Sequence, residues 1–221
     1  MSSDVGAARQ RILREGLDLV SATGLSGVTV GLLADRMGMS KSGLFAHFGS
    51  KEKMQIDLLR QMGQVSRETV VMPSMNAAEG LPRLKALVNN WLGWTARAGL
   101  AGGCPVAAAM FELDDLDGPV RAHVLAMERE WTGLIKHLVA QAIEHGHLAR
   151  NLDVDQFVWE LYGIYLSHHA SYRFVRDPQA NARASIAFAA LIDRSRPLIG
   201  GLCGHKRSIS VADPRFSAAE R

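Results

Sequence analysis

Residues able to do chemistry fall in three places along the chain. Ser40, Lys41 and Ser42 stand together ahead of a helical run, with His47, Lys51 and Lys53 close behind. Hydroxyls and amines at a free helix N-terminus suit a phosphate anion, because unpaired N–H groups and the helix dipole both favour negative charge there. His47 is either a further phosphate donor or a surface imidazole. Cys104 lies in the run Gly102-Gly103-Cys104-Pro105, where the proline fits the first position of a helix and the cysteine its N-cap. A thiol so placed has its pKa lowered by the dipole, as a sensor of oxidants or electrophiles requires; the alternative is a small buried cap. The pair His168-His169 invites a metal, yet adjacent helical positions point about 100° apart and cannot close on one ion. No metal and no cofactor are expected.

The elements that must hold these groups follow from the punctuation of the chain. Thr29 caps a helix Val30 to Met37, Gly38 ends it, and Ser40 caps a second helix running to about Phe48. Gly49-Ser50 breaks that helix and Ser50 opens the next. Two short helices about a glycine turn form a DNA-reading device when the second fits the major groove. Gly43, inside the second helix, costs about 1 kcal/mol against alanine, which is explained if backbone there approaches a sugar–phosphate wall.

Beyond the head, the apolar spacing predicts one helix from Lys51 to Met72 stopped by Pro73, then helices opening near Gly80, at Pro105 and at Pro119. A capping box, Asp153 with Gln156, opens a helix through Phe174, and an alanine-rich helix ends near Pro197. No segment alternates with a period of two. The predicted fold is all-α, with about nine helices: a three-helix helix-turn-helix domain over residues 1–54 and a larger helical bundle over 55–200. Residues 201–221 lack periodicity and read as a disordered tail.

The 221 residues carry a formal charge of +3 and 48% hydrophobic side chains, a balance that excludes neither a nucleic-acid partner nor any other. The N-terminal stretch has no apolar h-region, and no run of about 18 apolar residues offers a membrane span. Its two cysteines, Cys104 and Cys203, have no zinc or redox spacing. A reducing cytoplasm is the expected compartment.

Aromatic residues gather after the head. Trp91, Trp94, Cys104, Met110, Phe111, Trp131, Tyr162, Tyr165, His168 and His169 are the candidate lining of a small-molecule cavity between helices. Cationic residues are scarce among them, so an apolar or aromatic ligand is expected. The last two long helices carry apolar residues on more than one face. Phe157, Leu161, Phe188, Leu191 and Ile192 are accordingly assigned to a homodimer seam, a four-helix bundle with two helices from each subunit.

The run VTVGLLADRMGMSKSGLFAHFGSKEK, Val28 to Lys53, resembles the N-terminal DNA-binding domain of TetR-family (TetR/AcrR) bacterial transcription regulators. The leading ILREGLDLVSATG is similar too, and GGCPVAAAMFELDDLDGPVR looks like a motif of one branch of that family. By that resemblance Thr29, Ser40, Lys41, Phe45, His47 and Lys51 would contact the DNA backbone, while Ser42 and Gly43 would face the groove. Gly43 stands where threonine is frequent, and Phe45 where tyrosine is frequent. The resemblance implies a homodimeric repressor, released from a palindromic operator in double-stranded DNA by a small-molecule effector. A thiol-based regulator sensing through Cys104 is the alternative. An α-helical enzyme pairing Cys104 with His168 is the alternative of another class, and no catalytic constellation supports it.

Overall fold

The computed structural model describes residues 2–197, so the expected tail at 201–221 lies outside the described residues. Among the described residues every regular element is helical. The first is α1 (Ser2–Gly27), whose stripe Ile12, Leu13, Leu17 and Val20 is buried. Gly24 interrupts it in the left-handed region (φ 76°), which a side chain would strain. Next come α2 (Val30–Met37) and α3 (Lys41–Phe48), with α4 (Lys51–Ser66) directly after them.

The caps form as the sequence predicts. Thr29 Oγ1 accepts the Leu32 N–H at 3.1 Å, Ser40 Oγ the Gly43 N–H at 3.0 Å, and Ser50 Oγ the Lys53 N–H at 3.1 Å. Each such cap contributes about 1 kcal/mol. Leu33, Ala34, Leu44 and Phe48 close on α1, while Met54 and Leu58 bring the start of α4 into the same core.

The single helix predicted to reach Met72 is interrupted. After α4 the chain widens into a π-helical turn, Arg67–Val71, before the short α5 (Met72–Ser74). Pro73 supplies no N–H to the carbonyl of Thr69 and its ring crowds that carbonyl. In the widened turn the Met72 N–H bonds the Arg67 carbonyl instead.

The bundle comprises α6 (Leu81–Trp91), the short α7 (Trp94–Arg97), α8 (Pro105–Glu112), α9 (Pro119–Glu144), α10 (Val154–Ala170) and α11 (Ala180–Arg194). A second π-helical turn, Ser171–Val175, ends α10. Asp153 caps α10 by accepting the Gln156 N–H at 3.0 Å, but the Gln156 amide turns to Glu160, so the box is half formed. None of the described helices is long and apolar enough to cross a membrane.

The assigned seam requires a correction. Phe157, Leu161, Leu191 and Ile192 are each 1% exposed and Phe188 5%, so all five belong to the core of a single chain. The outer face of the same two helices carries Trp159, 72% exposed, and Ile186, 70% exposed. Both faces of α10 are apolar at helical spacing, and periodicity alone does not say which of them the subunit's own helices cover.

Backbone-level bonds tie head to bundle. Glu112, ending α8, accepts the Leu25 N–H at 3.0 Å and the Ser26 N–H at 2.7 Å. The Gly103 N–H donates to the Ser21 carbonyl at 2.9 Å, the Gly102 N–H to Ser21 Oγ at 2.9 Å, and the Ala101 N–H to Asp18 at 2.8 Å. The approach is so close that a β-carbon on Gly102 would lie 1.7 Å from the Ser21 carbonyl oxygen. Buried Gln55 of α4 donates to the Leu25 carbonyl at 3.1 Å, joining the same point.

Candidate nucleic-acid interface and ligand cavity

In the head, α3 exposes Lys41, Ser42 and Ala46, with Phe45 48% exposed, and sinks Leu44 and Phe48 beneath them. His47 is half-buried. The side chain of Lys41 lies across α2: a β-carbon on Gly31 would sit 3.2 Å from Lys41 Cε, 3.6 Å from its ammonium and 3.8 Å from Thr29 Oγ1. A lysine, a capping threonine and the N-terminus of α2 therefore converge, the arrangement that holds a phosphate. Thr29 and Ser40 accept the capping N–H through oxygen; Thr29 keeps a hydroxyl hydrogen to donate outward, while the Ser40 hydroxyl shares a hydrogen bond of 3.2 Å with that of Ser42. A side chain at Gly43 would meet only Ser40 Oγ, at 3.0 Å, and the tip of Met39.

Two arginines of the head are otherwise engaged. Arg36 pairs with Glu15 at 3.2 Å and Asp18 at 2.8 Å, while Arg9 pairs with Asp57 at 2.6 Å and lies 5.5 Å above the Phe48 ring. These contacts fix the helices to each other. Lys41, Lys51 and Lys53 are exposed and take part in no ion pair among the described residues.

In the bundle an apolar cavity of about 530 Å³ opens between α4 and the helices after it. Met62, Gly63 and Ser66 of α4 line one side, continued by Arg67 and Val71 of the π-helical turn and by Met72 and Met75. The far side is aromatic, with Trp91, Trp94, Trp131, Tyr162 and Tyr165. Trp91 stacks on Tyr165 with centroids 3.9 Å apart and meets Trp131 edge-on at 4.9 Å. Cys104, Val106 and Ala107 of α8 and Met127, Glu128, Glu130 and Leu134 of α9 complete the wall.

Four of the expected lining residues stand elsewhere. Met110 touches the cavity only through Tyr162, whose hydroxyl oxygen lies 3.1 Å from its sulfur. Phe111 is 63% exposed on the outside of α8. His168 and His169 border a separate crevice of about 20 Å³ behind Trp94, where His168 Nε2 bonds Asn181 Oδ1 at 2.7 Å. Burial, with Arg173 beside it, holds His169 below the usual imidazole range.

Cys104 occupies the N-cap position of α8 but makes no capping bond with its side chain. Its thiol is buried, and that burial pushes its pKa up; a hydrogen bond with Tyr165 offsets this only in part. Desolvation therefore outweighs the helix dipole, and of the two sequence readings the small buried residue is favoured over the thiolate.

The sequence reading missed Met62, Met72, Met75 and Met127, and it missed Glu128. The methionines sit at positions that also fit a plain core stripe, and Pro73, beside the π-helical turn that carries Arg67 and Val71, reads in the sequence only as a helix stop. Glu128 is half-buried and accepts a hydrogen bond from the Tyr162 hydroxyl. Burial raises its pKa, which the Tyr162 hydrogen bond offsets only in part, and burial followed by that same bond raises the pKa of Tyr162.

Comparison with known proteins agrees with this geometry. Residues 12–57 match the family described as "Bacterial regulatory proteins, tetR family", and residues 80–188 the "Tetracyclin repressor-like, C-terminal domain". No curated protein matches the sequence closely enough to lend it a function. Among solved structures, a TetR transcriptional regulator from Chloroflexus aurantiacus J-10-FL is 21% identical (TM-score 0.75), covering 86% of this chain and 95% of that one. A TetR-family regulator from Agrobacterium tumefaciens is 20% identical (TM-score 0.71; 87% and 100% covered). AibR, solved with isovaleryl coenzyme A and operator DNA, is 20% identical (TM-score 0.65; 83% and 96% covered). With one match over the helix-turn-helix head and the other over the bundle that holds the cavity, the chain belongs to the TetR family of bacterial transcriptional regulators.

Proposed function

We propose that this protein is a homodimeric, ligand-responsive repressor, whose heads grip a palindromic operator until a small molecule fills the cavity. The observation that carries the proposal is the continuity of α4. Its first residue, Lys51, belongs to the DNA-facing head, and its last turns, at Met62, Gly63 and Ser66, form a cavity wall. At 1.5 Å per residue, Lys51 lies about 16 Å along that lever from Met62 and about 22 Å from Ser66. A second connection runs through α8, from Cys104, Val106 and Ala107 at the cavity to Glu112 on the Leu25 and Ser26 amides. A ligand seated between these helices favours one arrangement of α4 and α8, and so one tilt of the head.

The second copy docks, in this reading, on the outer face of α10 and α11. Trp159 and Ile186 stand exposed there, beside a shallow groove that includes Gly163, Ser167, Ala187 and Ala190. Small residues at that spacing let a second pair of helices approach closely, giving a four-helix seam. Ile186→Glu is expected to yield monomers in sedimentation equilibrium while the fold is retained; a dimer of unchanged affinity would remove this face from the seam. The protein works in the cytoplasm, as an operator-bound regulator and not as an enzyme.

Selection of fragments from bacterial genomic DNA by the full-length protein tests the reading. The expected result is an inverted-repeat consensus with half-sites about one helical turn apart. Absence of enrichment would exclude sequence-specific regulation.

A further inference from the structure

The cavity is not uniformly apolar: besides the Tyr162 and Tyr165 hydroxyls, the Cys104 thiol and the unpaired Trp131 Nε1–H, its wall carries the carboxylate of Glu128. Glu128 sits on its wall, half-buried, and the Tyr162 hydroxyl is the one side-chain donor it meets among the described residues. No cation among the described residues pairs with it there. Lys136, which shares an outer groove with Glu128, is held by Asp155 at 2.5 Å. Arg67 is exposed at the cavity on the π-helical turn, and exposed Glu130 adds a second negative charge beside it. Next to this carboxylate stand stacked and edge-on ring faces, with Trp91 6.0 Å from Tyr162, 4.9 Å from Trp131 and 3.9 Å from Tyr165. Ring faces attract cations, and more strongly where water is excluded. A carboxylate taken from water without a counter-ion is costly, and an incoming cation removes that cost, whereas an incoming anion increases it.

Resting on the ligand-responsive reading above, we propose that the effector is an amphipathic cation, an aromatic amine or quaternary ammonium. Its charged nitrogen lies against Glu128 and Tyr162, and its apolar body lies among Trp91, Trp131 and Tyr165. The volume of about 530 Å³ suits a molecule of drug-like size. The same charge disfavours an effector that brings a carboxylate or phosphate against Glu128.

The test uses the full-length protein and three probes of one shape: (naphthylmethyl)trimethylammonium, its uncharged carbon isostere neopentylnaphthalene, and naphthylacetate. Quenching of tryptophan emission reports binding. The cation is expected to bind roughly tenfold tighter than the isostere, and naphthylacetate weakest of the three. Glu128→Gln, which keeps the shape of the side chain, is expected to erase the cation's advantage and leave the isostere's affinity unchanged.

A pH series supplies a second readout on the unaltered chain. The quaternary ammonium does not titrate, so its affinity should rise with pH as Glu128 ionises through its raised pKa, while the isostere stays flat. Of the other groups around Glu128, burial pushes up the pKa values of Tyr162, Tyr165 and Cys104, and Arg67, Glu130 and Lys136 are the remaining charged side chains on the two spaces it borders. An isostere that binds as well as the cation, or a preference that survives Glu128→Gln, would overturn the ligand class while leaving a ligand-responsive regulator standing. Failure of all three probes to bind would overturn the cavity reading with it.

Discussion

Within the head, each helix is started and stopped by its sequence neighbours, whereas the cavity is walled by residues as distant as Met62 and Tyr165. Thr29, Ser40 and Ser50 cap α2, α3 and α4 in turn, and Gly38 and Gly49 end α2 and α3. The head presents polar groups on a rigid, locally determined surface. The bundle instead encloses its chemistry, bringing α4, α6, α8, α9 and α10 around one space whose walls include a π-helical turn. A reader of DNA must hold its shape, and a cavity that responds to a ligand must be able to change shape. Under the proposed function, the two regions differ in the way those tasks require.

Removing a cavity wall should separate the two regions most sharply. Trp91 is 5% exposed and packs on Tyr165 and Trp131. Trp91→Ala is expected to cost about 3–5 kcal/mol in urea unfolding. Hydrogen exchange should speed up in α6, α9 and α10 and stay slow in α2 and α3; equal loosening of the head would show that the regions do not differ.

The joint between them comes next. Gly102→Ala would place a β-carbon against the Ser21 carbonyl and force α1 from the segment before α8. About 2–3 kcal/mol of destabilisation is expected, as for other overpacked sites, and a variant as stable as the parent would show that the joint yields freely. Glu112→Gln keeps the size of the side chain but weakens its bonds to the Leu25 and Ser26 amides. A loss of about 1–2 kcal/mol is expected, together with weaker coupling between ligand and DNA. Unchanged coupling would remove the Glu112 bonds from the path between cavity and head.

Lys51→Ala carries the smallest effect. DNA affinity should fall about equally across sequences, and the log–log salt slope should flatten by about one unit. An unchanged slope would remove Lys51 from the phosphate contacts.

The same contrast explains what the sequence could reveal. The head was legible because its signals are local: a cap hydroxyl, three residues and an N–H, then a glycine in left-handed backbone. The aromatic half of the cavity was legible because Trp91, Trp131, Tyr162 and Tyr165 are large and recur on several helices. Other features depend on non-local packing. The outward face of α10 is fixed by its packing against α9 and α11, so Phe157 and Leu161 read as a seam and proved to be core. Cys104 read either as an activated thiol or as a small buried residue, because the dipole of α8 is visible in sequence and the burial that decides between them is not. Glu128 is an ordinary helical glutamate until the fold places Tyr162 beside it.

The central claim is that cavity and operator are linked. Its most direct test is the affinity of a cavity probe, read by tryptophan quenching, with and without a saturating amount of the selected DNA fragment. Linkage requires that DNA weaken probe binding by the same factor that the probe weakens DNA binding. The account predicts a factor of roughly ten or more in both directions. Equal probe affinity for the free and DNA-bound protein would contradict it.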